Sequence, residues 1–281
     1  MLKKTSAILI CGAIASLFII GLCRSDTGSI PAGEADAKAA LEKSPRHQEW
    51  VKISLPGSET KLNSYVVYPE RKDKAPVVIV IMEIFGLSDW IRAVADQLAA
   101  DGFIAIAPDL LSGRGRGGGG SEAFAIRDEI VKAVSALSSA DVDSMLNATK
   151  DYAASLPAAT QKYATLGFCW GGGQSFRYAT VRPELGAAVV YYGVSPPLDA
   201  LASISAPVLG LYGEDDARVV STVEPAEAKM KELGKVYTVQ VYAGAGHGFL
   251  RAQGDRNGAN LEASKKAWPV TIEFLRKNLE Q

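Results

Sequence analysis

The sequence predicts an α/β domain built on a mostly parallel sheet flanked by helices on both faces, and three observations carry that prediction. Nearly continuous apolar runs such as "APVVIVIM" (75–82), "FIAIAPDL" (103–110) and "LGAAVVYYG" (185–193) lack the alternation of a half-exposed strand. They read as strands covered on both sides. Between them lie amphipathic stretches of helical length, and alternation of the two types is the pattern of a parallel sheet wrapped by helices. No internal repeat or second compositional boundary interrupts the rhythm, so residues 49–281 read as one domain.

Taken in order, the chain begins with Lys3 and Lys4 before an apolar run, "SAILICGAIASLFIIGL" (6–22). A basic start, an apolar stretch and a polar sequel form the pattern of an export signal over residues 1–24, which implies a periplasmic or extracellular protein. An uncleaved membrane anchor through residues 6–22 is the alternative. Cys23 does not make a lipoprotein site, because Leu22 stands where a small residue is expected. Residues 25–48, rich in Ala, Glu, Ser and Pro, read as a linker. After cleavage only Cys169 of the three cysteines would remain, leaving no intramolecular disulfide partner in an oxidising compartment.

"WVKISL" (50–55) and "LNSYVVYP" (62–69) read as an antiparallel pair that opens the domain. "APVVIVIM" follows, then the helix "SDWIRAVADQLAADG" (88–102), with Ser88 or Asp89 as N-cap and Gly102 as the stop. "FIAIAPDL" is the next strand, "RGRGGGG" (114–120) a loop, and helices are expected around 122–139 and 141–155. "KYATLGF" (162–168) is a strand leading into the helix "CWGGGQSFRYAT" (169–180). Strands at 185–193 and 206–213 flank the turn segment "VSPPLDALASIS" (194–205). A helix near 224–233, the strand "VYTVQVY" (236–242) and a helix near 264–278 close the chain.

A formal charge of −1 gives no electrostatic reason to expect nucleic acid or an anionic membrane surface as partner. The glycine loop at 113–120 is not a phosphate-binding motif, since no Gly-Lys-Ser/Thr follows it, and it reads as a mobile surface loop. With two histidines 200 positions apart, His47 and His247, no cluster has metal-ligand spacing. No metal and no organic cofactor is expected.

Gly167-Phe168-Cys169-Trp170-Gly171 has the form G-x-C-x-G, the nucleophile-elbow pattern with sulfur in place of oxygen. A sharp strand-to-helix turn holds the central residue strained and exposed above the sheet, and small residues must flank it. The helix N-terminus beside Cys169 would favour a thiolate. Downstream, "LYGEDDARVV" places Asp215 and Asp216 just past a strand, and "YAGAGHGFL" places His247 past the next. A thiol, a carboxylate and an imidazole thus fall along the carboxyl edge of one parallel sheet, where open α/β sheets carry their sites.

With "EIFGLSDWIR", "IAPDL", "GFCWGG", "GEDD" and "GHGF" in this order, most of residues 50–281 resembles the dienelactone hydrolase family, within the α/β-hydrolase fold. The resemblance implies hydrolysis of carboxylic esters or lactones, with Cys169 as nucleophile and His247 handling the proton. Its GxxD spacing from Gly213 implies Asp216 as the acid, with Asp215 as the fallback. It further implies an oxyanion hole from the backbone N–H groups of Ile84 and Trp170. Glu83 would take the thiol proton when an anionic substrate draws it from an arginine. Arg251 matches one substrate-binding arginine. The second position falls on Gly113, with Arg114 one residue later, which leaves the substrate open. A broader small-ester carboxylesterase, in which Arg251 serves structure, and an exported non-catalytic binding protein on the same scaffold are the alternatives.

Overall fold

The extended runs become strands β1 (Gln48–Ser54), β2 (Lys61–Val67), β3 (Ala75–Ile81), β4 (Ile104–Pro108), β5 (Ala159–Phe168), β6 (Ala187–Tyr191), β7 (Val208–Gly213) and β8 (Tyr237–Tyr242). In this computed structural model, which describes residues 29–280, they form one sheet in the order β1-β2-β4-β3-β5-β6-β7-β8. The opening pair is antiparallel, and β2 meets β4 antiparallel as well. Every other neighbouring pair is parallel. All residues of β3, β4, β6 and β7 are buried, because helices cover both faces of the sheet centre. The edge strands β1 and β8 keep exposed positions.

Helices α1 (Ala37–Lys43), α2 (Asp89–Ala100), α3 (Arg127–Ser135), α4 (Ser139–Ser155), α5 (Trp170–Val181), α6 (Ala217–Val220), α7 (Val223–Glu232) and α8 (Ala259–Leu279) complete the chain. Ser88, not Asp89, caps α2: its side chain accepts the Ile91 N–H, satisfying a donor that the first helical turn leaves free. That helix buries Trp90, Ile91, Val94 and Leu98 against the sheet. Gly102 ends the segment at φ +101°, a left-handed backbone that glycine adopts without a Cβ penalty.

Two stretches differ from their sequence reading. The helix expected around 122–139 is a short 3-10 turn at Ser121–Ala123 followed by the shorter α3. The glycine loop before it is not free. Asp109, almost fully buried, accepts the Ser121 backbone N–H at 2.7 Å and the Ser121 hydroxyl at 2.6 Å. A Cβ on Gly120 would lie 2.1 Å from the same carboxylate, so the loop must be glycine to close around it.

The second difference is the stretch read as a linker, which packs from Ser29 onward. Helix α1 buries Ala37 and Leu41, and Arg46 donates Nε–H to the largely buried Asp96 of α2 at 2.9 Å. A composition that looks like a spacer therefore packs here as a helix, with Ala37 fully and Leu41 largely buried. The export or anchor segment lies outside the described residues. Among the described residues no helix is long and apolar enough to cross a membrane.

The chain runs from β3 through α2 to β4 on one side of β3, then returns to β5 on the other. The carboxyl end of β3 is therefore a switch point, where the connections diverge and leave a crevice.

Candidate active site

Around that crevice, residues just beyond five parallel strands converge: Glu83 after β3, Cys169 after β5, Tyr192 after β6, Asp216 after β7 and His247 after β8. Cys169 occupies φ +55°, ψ −117°, a region that costs a residue with a Cβ about 1–3 kcal/mol. Its surroundings hold it there. The Cys169 N–H donates to the Tyr191 carbonyl at 3.0 Å, and its own carbonyl accepts the Gly173 N–H at 3.1 Å. A Cβ on Gly167 would sit 2.0 Å from the Gly171 carbonyl oxygen, so the elbow requires glycine there. Gly171 is required for a different reason than the elbow pattern suggests. Its Cβ would strike the Met82 carbonyl at 2.3 Å, because α5 presses against the end of β3.

Burial pushes the Cys169 thiol up to about 11, and the negative charge of Glu83 adds to the effect. The N–H groups of Trp170 and Ile84 and the Arg218 guanidinium pull the other way. Burial outweighs these donors and favours the protonated thiol. Cys169 is a free thiol.

Glu83 is 3% exposed. A tight turn fixes it, with the Gly86 N–H donating to the Glu83 carbonyl at 3.1 Å. The Ser121 hydroxyl oxygen accepts the Leu87 N–H at 2.9 Å, so the anchored glycine loop braces this turn from behind. Burial pushes the Glu83 carboxyl up to about 7; Arg251 opposes the shift and the Glu34 charge reinforces it. Arg251 Nε lies 2.9 Å from Glu83 Oε2, but the contact lacks hydrogen-bond alignment, and that N–H has no hydrogen-bond acceptor. The Tyr192 hydroxyl is fully buried and likewise poorly aligned, although it too favours the Glu83 carboxylate.

His247 Nδ1 is hydrogen-bonded to Asp216 Oδ2 at 2.5 Å. Asp216 is 7% exposed, whereas Asp215 faces outward and accepts from Arg256 Nη1 at 2.7 Å. The imidazole partner is therefore Asp216. The Tyr192 ring supports His247 edge-on at 5.2 Å. His47 packs instead on Tyr68, beside the edge of the sheet. A depression of about 480 Å³ opens over the sulfur, lined by Ile84, Cys169, Trp170, Gln174, Tyr192 and Arg218 among others.

Arg114 is not brought to this depression. It pairs with Asp141 at 3.0 Å in a separate, exposed cleft beside Thr60 and Ser112, because the tethered glycine loop turns it away. Three residues of the site were not anticipated. Tyr192 ends an apolar strand run, a position from which it could have been found. Arg218 follows Asp216 by two residues and gave no separate signal. Glu34 lies in the presumed linker, and only packing brings it to Arg251. Among the described residues no group of three or more His, Cys, Asp or Glu is arranged to hold a metal ion.

The arrangement is a thiol flanked by two backbone donors, a buried carboxyl with raised basicity, and an imidazole oriented by a carboxylate. The model of the dienelactone hydrolase family matches residues 62–279. A Salmonella typhimurium protein named "Putative carboxymethylenebutenolidase" is 32% identical over 270 residues, 89% of this chain and 97% of that protein. An Escherichia coli K12 protein of the same name is 34% identical over 240 residues, 80% of this chain and 85% of its own. A crystal structure described as a "Putative Dienelactone Hydrolase" from Klebsiella pneumoniae superposes with a TM-score of 0.72 at 30% identity, covering 83% of this chain and 99% of that one.

Proposed function

The chain belongs to the dienelactone hydrolase family, and from that premise we propose that it hydrolyses small carboxylic esters or lactones through Cys169, His247 and Asp216. The observation that carries this reading is the strained Cys169, with the Trp170 and Ile84 N–H groups both acting on its sulfur. Donors that converge on the resting sulfur lie within reach of an oxyanion formed on a carbon that the sulfur attacks.

In the cycle we infer, Glu83 takes the thiol proton and holds it until the end. Sulfur attacks the carbonyl carbon, the π pair moves to oxygen, and that oxyanion rests on the Ile84 and Trp170 amides. Its collapse breaks the C–O bond and leaves a thioester. His247, oriented by Asp216, removes a proton from water and passes it to the departing oxygen. The hydroxide so formed attacks the thioester, the carboxylic acid departs, and sulfur regains its proton from Glu83.

The test is turnover of a dienelactone and of a short-chain nitrophenyl ester, with Cys169→Ala as the control. Loss of activity in the variant with an unchanged melting temperature is expected. Hydrolysis that survives the substitution would refute Cys169 as nucleophile. The apolar run at 6–22 supports the further proposal that the protein is exported, which cell fractionation would test.

A further inference from the structure

Arg251 is shared between two carboxylates: Glu83 exerts the larger Coulombic pull, but only Glu34 accepts a hydrogen bond from it. Toward Glu83 it offers only the misaligned Nε contact, whereas its Nη1 donates a hydrogen bond to Glu34. Glu34 is held for this purpose. Its backbone N–H donates to the Arg251 carbonyl at 2.9 Å, and Gln253 donates to the Pro31 carbonyl at 2.8 Å. A Cβ on Gly33 would come within 3.3 Å of that same Arg251 carbonyl. Helix α1, docked through Ala37 and Leu41, anchors the segment behind.

The other cations near the site differ in how they are engaged. Arg177 is bound by Asp143 at 2.5 Å. Arg127 stacks on Phe85 at 3.6 Å, and Phe85 also faces Arg251 at 5.3 Å. Arg218 lines the depression over the sulfur, and no carboxylate pairs with it among the described residues. So the guanidinium next to the catalytic carboxyl, where a carboxylate-bearing substrate would be expected to pair, is already engaged.

We infer that Glu34 is a specificity-determining residue that stands in for a substrate carboxylate at Arg251, weakening the hold of the guanidinium on Glu83 and lowering the preference for a substrate carboxylate at that arginine. The inference rests on the Cys169 hydrolase reading and deepens it. An enzyme of this kind depends less on an anionic substrate to loosen the hold of Arg251 on its base, because Glu34 already accepts a hydrogen bond from that guanidinium. A substrate carboxylate would have to displace Glu34, or bind elsewhere.

The test compares the full-length chain with Glu34→Gln on two esters: 4-nitrophenyl acetate, which is neutral, and 4-nitrophenyl hydrogen succinate, which carries a carboxylate. A hydrogen-bonded ion pair at a partly exposed arginine changes affinity by about tenfold. The ratio of kcat/KM for the succinate ester over the acetate ester is therefore expected to rise about tenfold in Glu34→Gln. It should do so through a lower KM for the succinate ester and a lower kcat for the acetate ester. A ratio unchanged within about twofold would overturn the inference, while Cys169-dependent turnover would leave the hydrolase reading intact. A second measurement is independent of turnover: calorimetric binding of butyrate to Cys169→Ala with and without Glu34→Gln. Tighter binding by about tenfold in the double variant is expected, and equal affinity would overturn the inference even if neither ester is hydrolysed.

Discussion

Replacing Glu83 by glutamine isolates what a buried carboxyl does to stability. The side chains have nearly the same shape, but only glutamate can ionise. In the folded protein burial pushes the Glu83 carboxyl up to about 7, against 4.5 for an unhindered glutamate. A raised folded value means that the native state binds the proton more tightly than the unfolded chain. Glu83 therefore favours the fold below about pH 4.5, and that contribution is lost as pH rises through about 7. The difference of 2.5 between those two values, at about 1.4 kcal/mol each, amounts to about 3 kcal/mol. Glu83→Gln has no such dependence, so its advantage over the natural chain should grow by about that amount from pH 4 to pH 8. For a domain of this size, about 3 kcal/mol corresponds to roughly 6–12 °C in melting temperature. Urea unfolding at both pH values, checked for a constant slope, measures the difference directly. Parallel pH profiles for the two proteins would refute the reasoning, since they would mean that Glu83 ionises as easily inside as outside.

Three further outcomes follow from the same geometry. Asp216→Asn should lower kcat by about 10³–10⁴ by misorienting His247, whereas Asp215→Asn should stay within about twofold; equal effects would remove the assignment. Gly167→Ala, whose Cβ would lie 2.0 Å from the Gly171 carbonyl oxygen, should destabilise the protein by about 3 kcal/mol or more in denaturant unfolding, while an unchanged midpoint would show that the elbow can open. Alkylation of Cys169 by iodoacetamide should rise with pH toward a midpoint near 11, and a midpoint below 7 would contradict a protonated resting thiol.

Much of this protein was legible in the residues. The continuous apolar runs identified the central strands because a strand covered on both faces has no polar side to show. Gly167 and Gly171 marked the elbow, and the sparse chemistry, one thiol and one histidine beyond the linker, left few residues for the site. Local pattern also gave Ser88 and Asp89 as rival caps and Asp216 and Asp215 as rival acids. The resemblance already favoured Asp216 through its spacing from Gly213, but spacing alone left Asp215 as a fallback, and Ser88 and Asp89 stood as equally placed caps. Burial separates the two acids: Asp216 turns inward to His247 while Asp215 turns out to Arg256.

Other features depend on contacts between residues far apart in sequence. The pull of the α5 terminus on Cys169 is a local effect and predicts a thiolate. The desolvation that outweighs it comes from surrounding elements and is invisible in the pentapeptide. Arg114 sits near the right place in the sequence, yet the tether from Asp109 to Ser121 shapes the loop that carries it toward Asp141. Glu34 reaches Arg251 across 217 positions from a stretch whose composition suggests a spacer. The sequence alone determined the sheet, the elbow and the order of the chemical groups, since these follow from short-range periodicity and backbone sterics. Whether the thiol rests protonated and which carboxylate engages Arg251 were decided only by the tertiary structure, because charge and burial act through space.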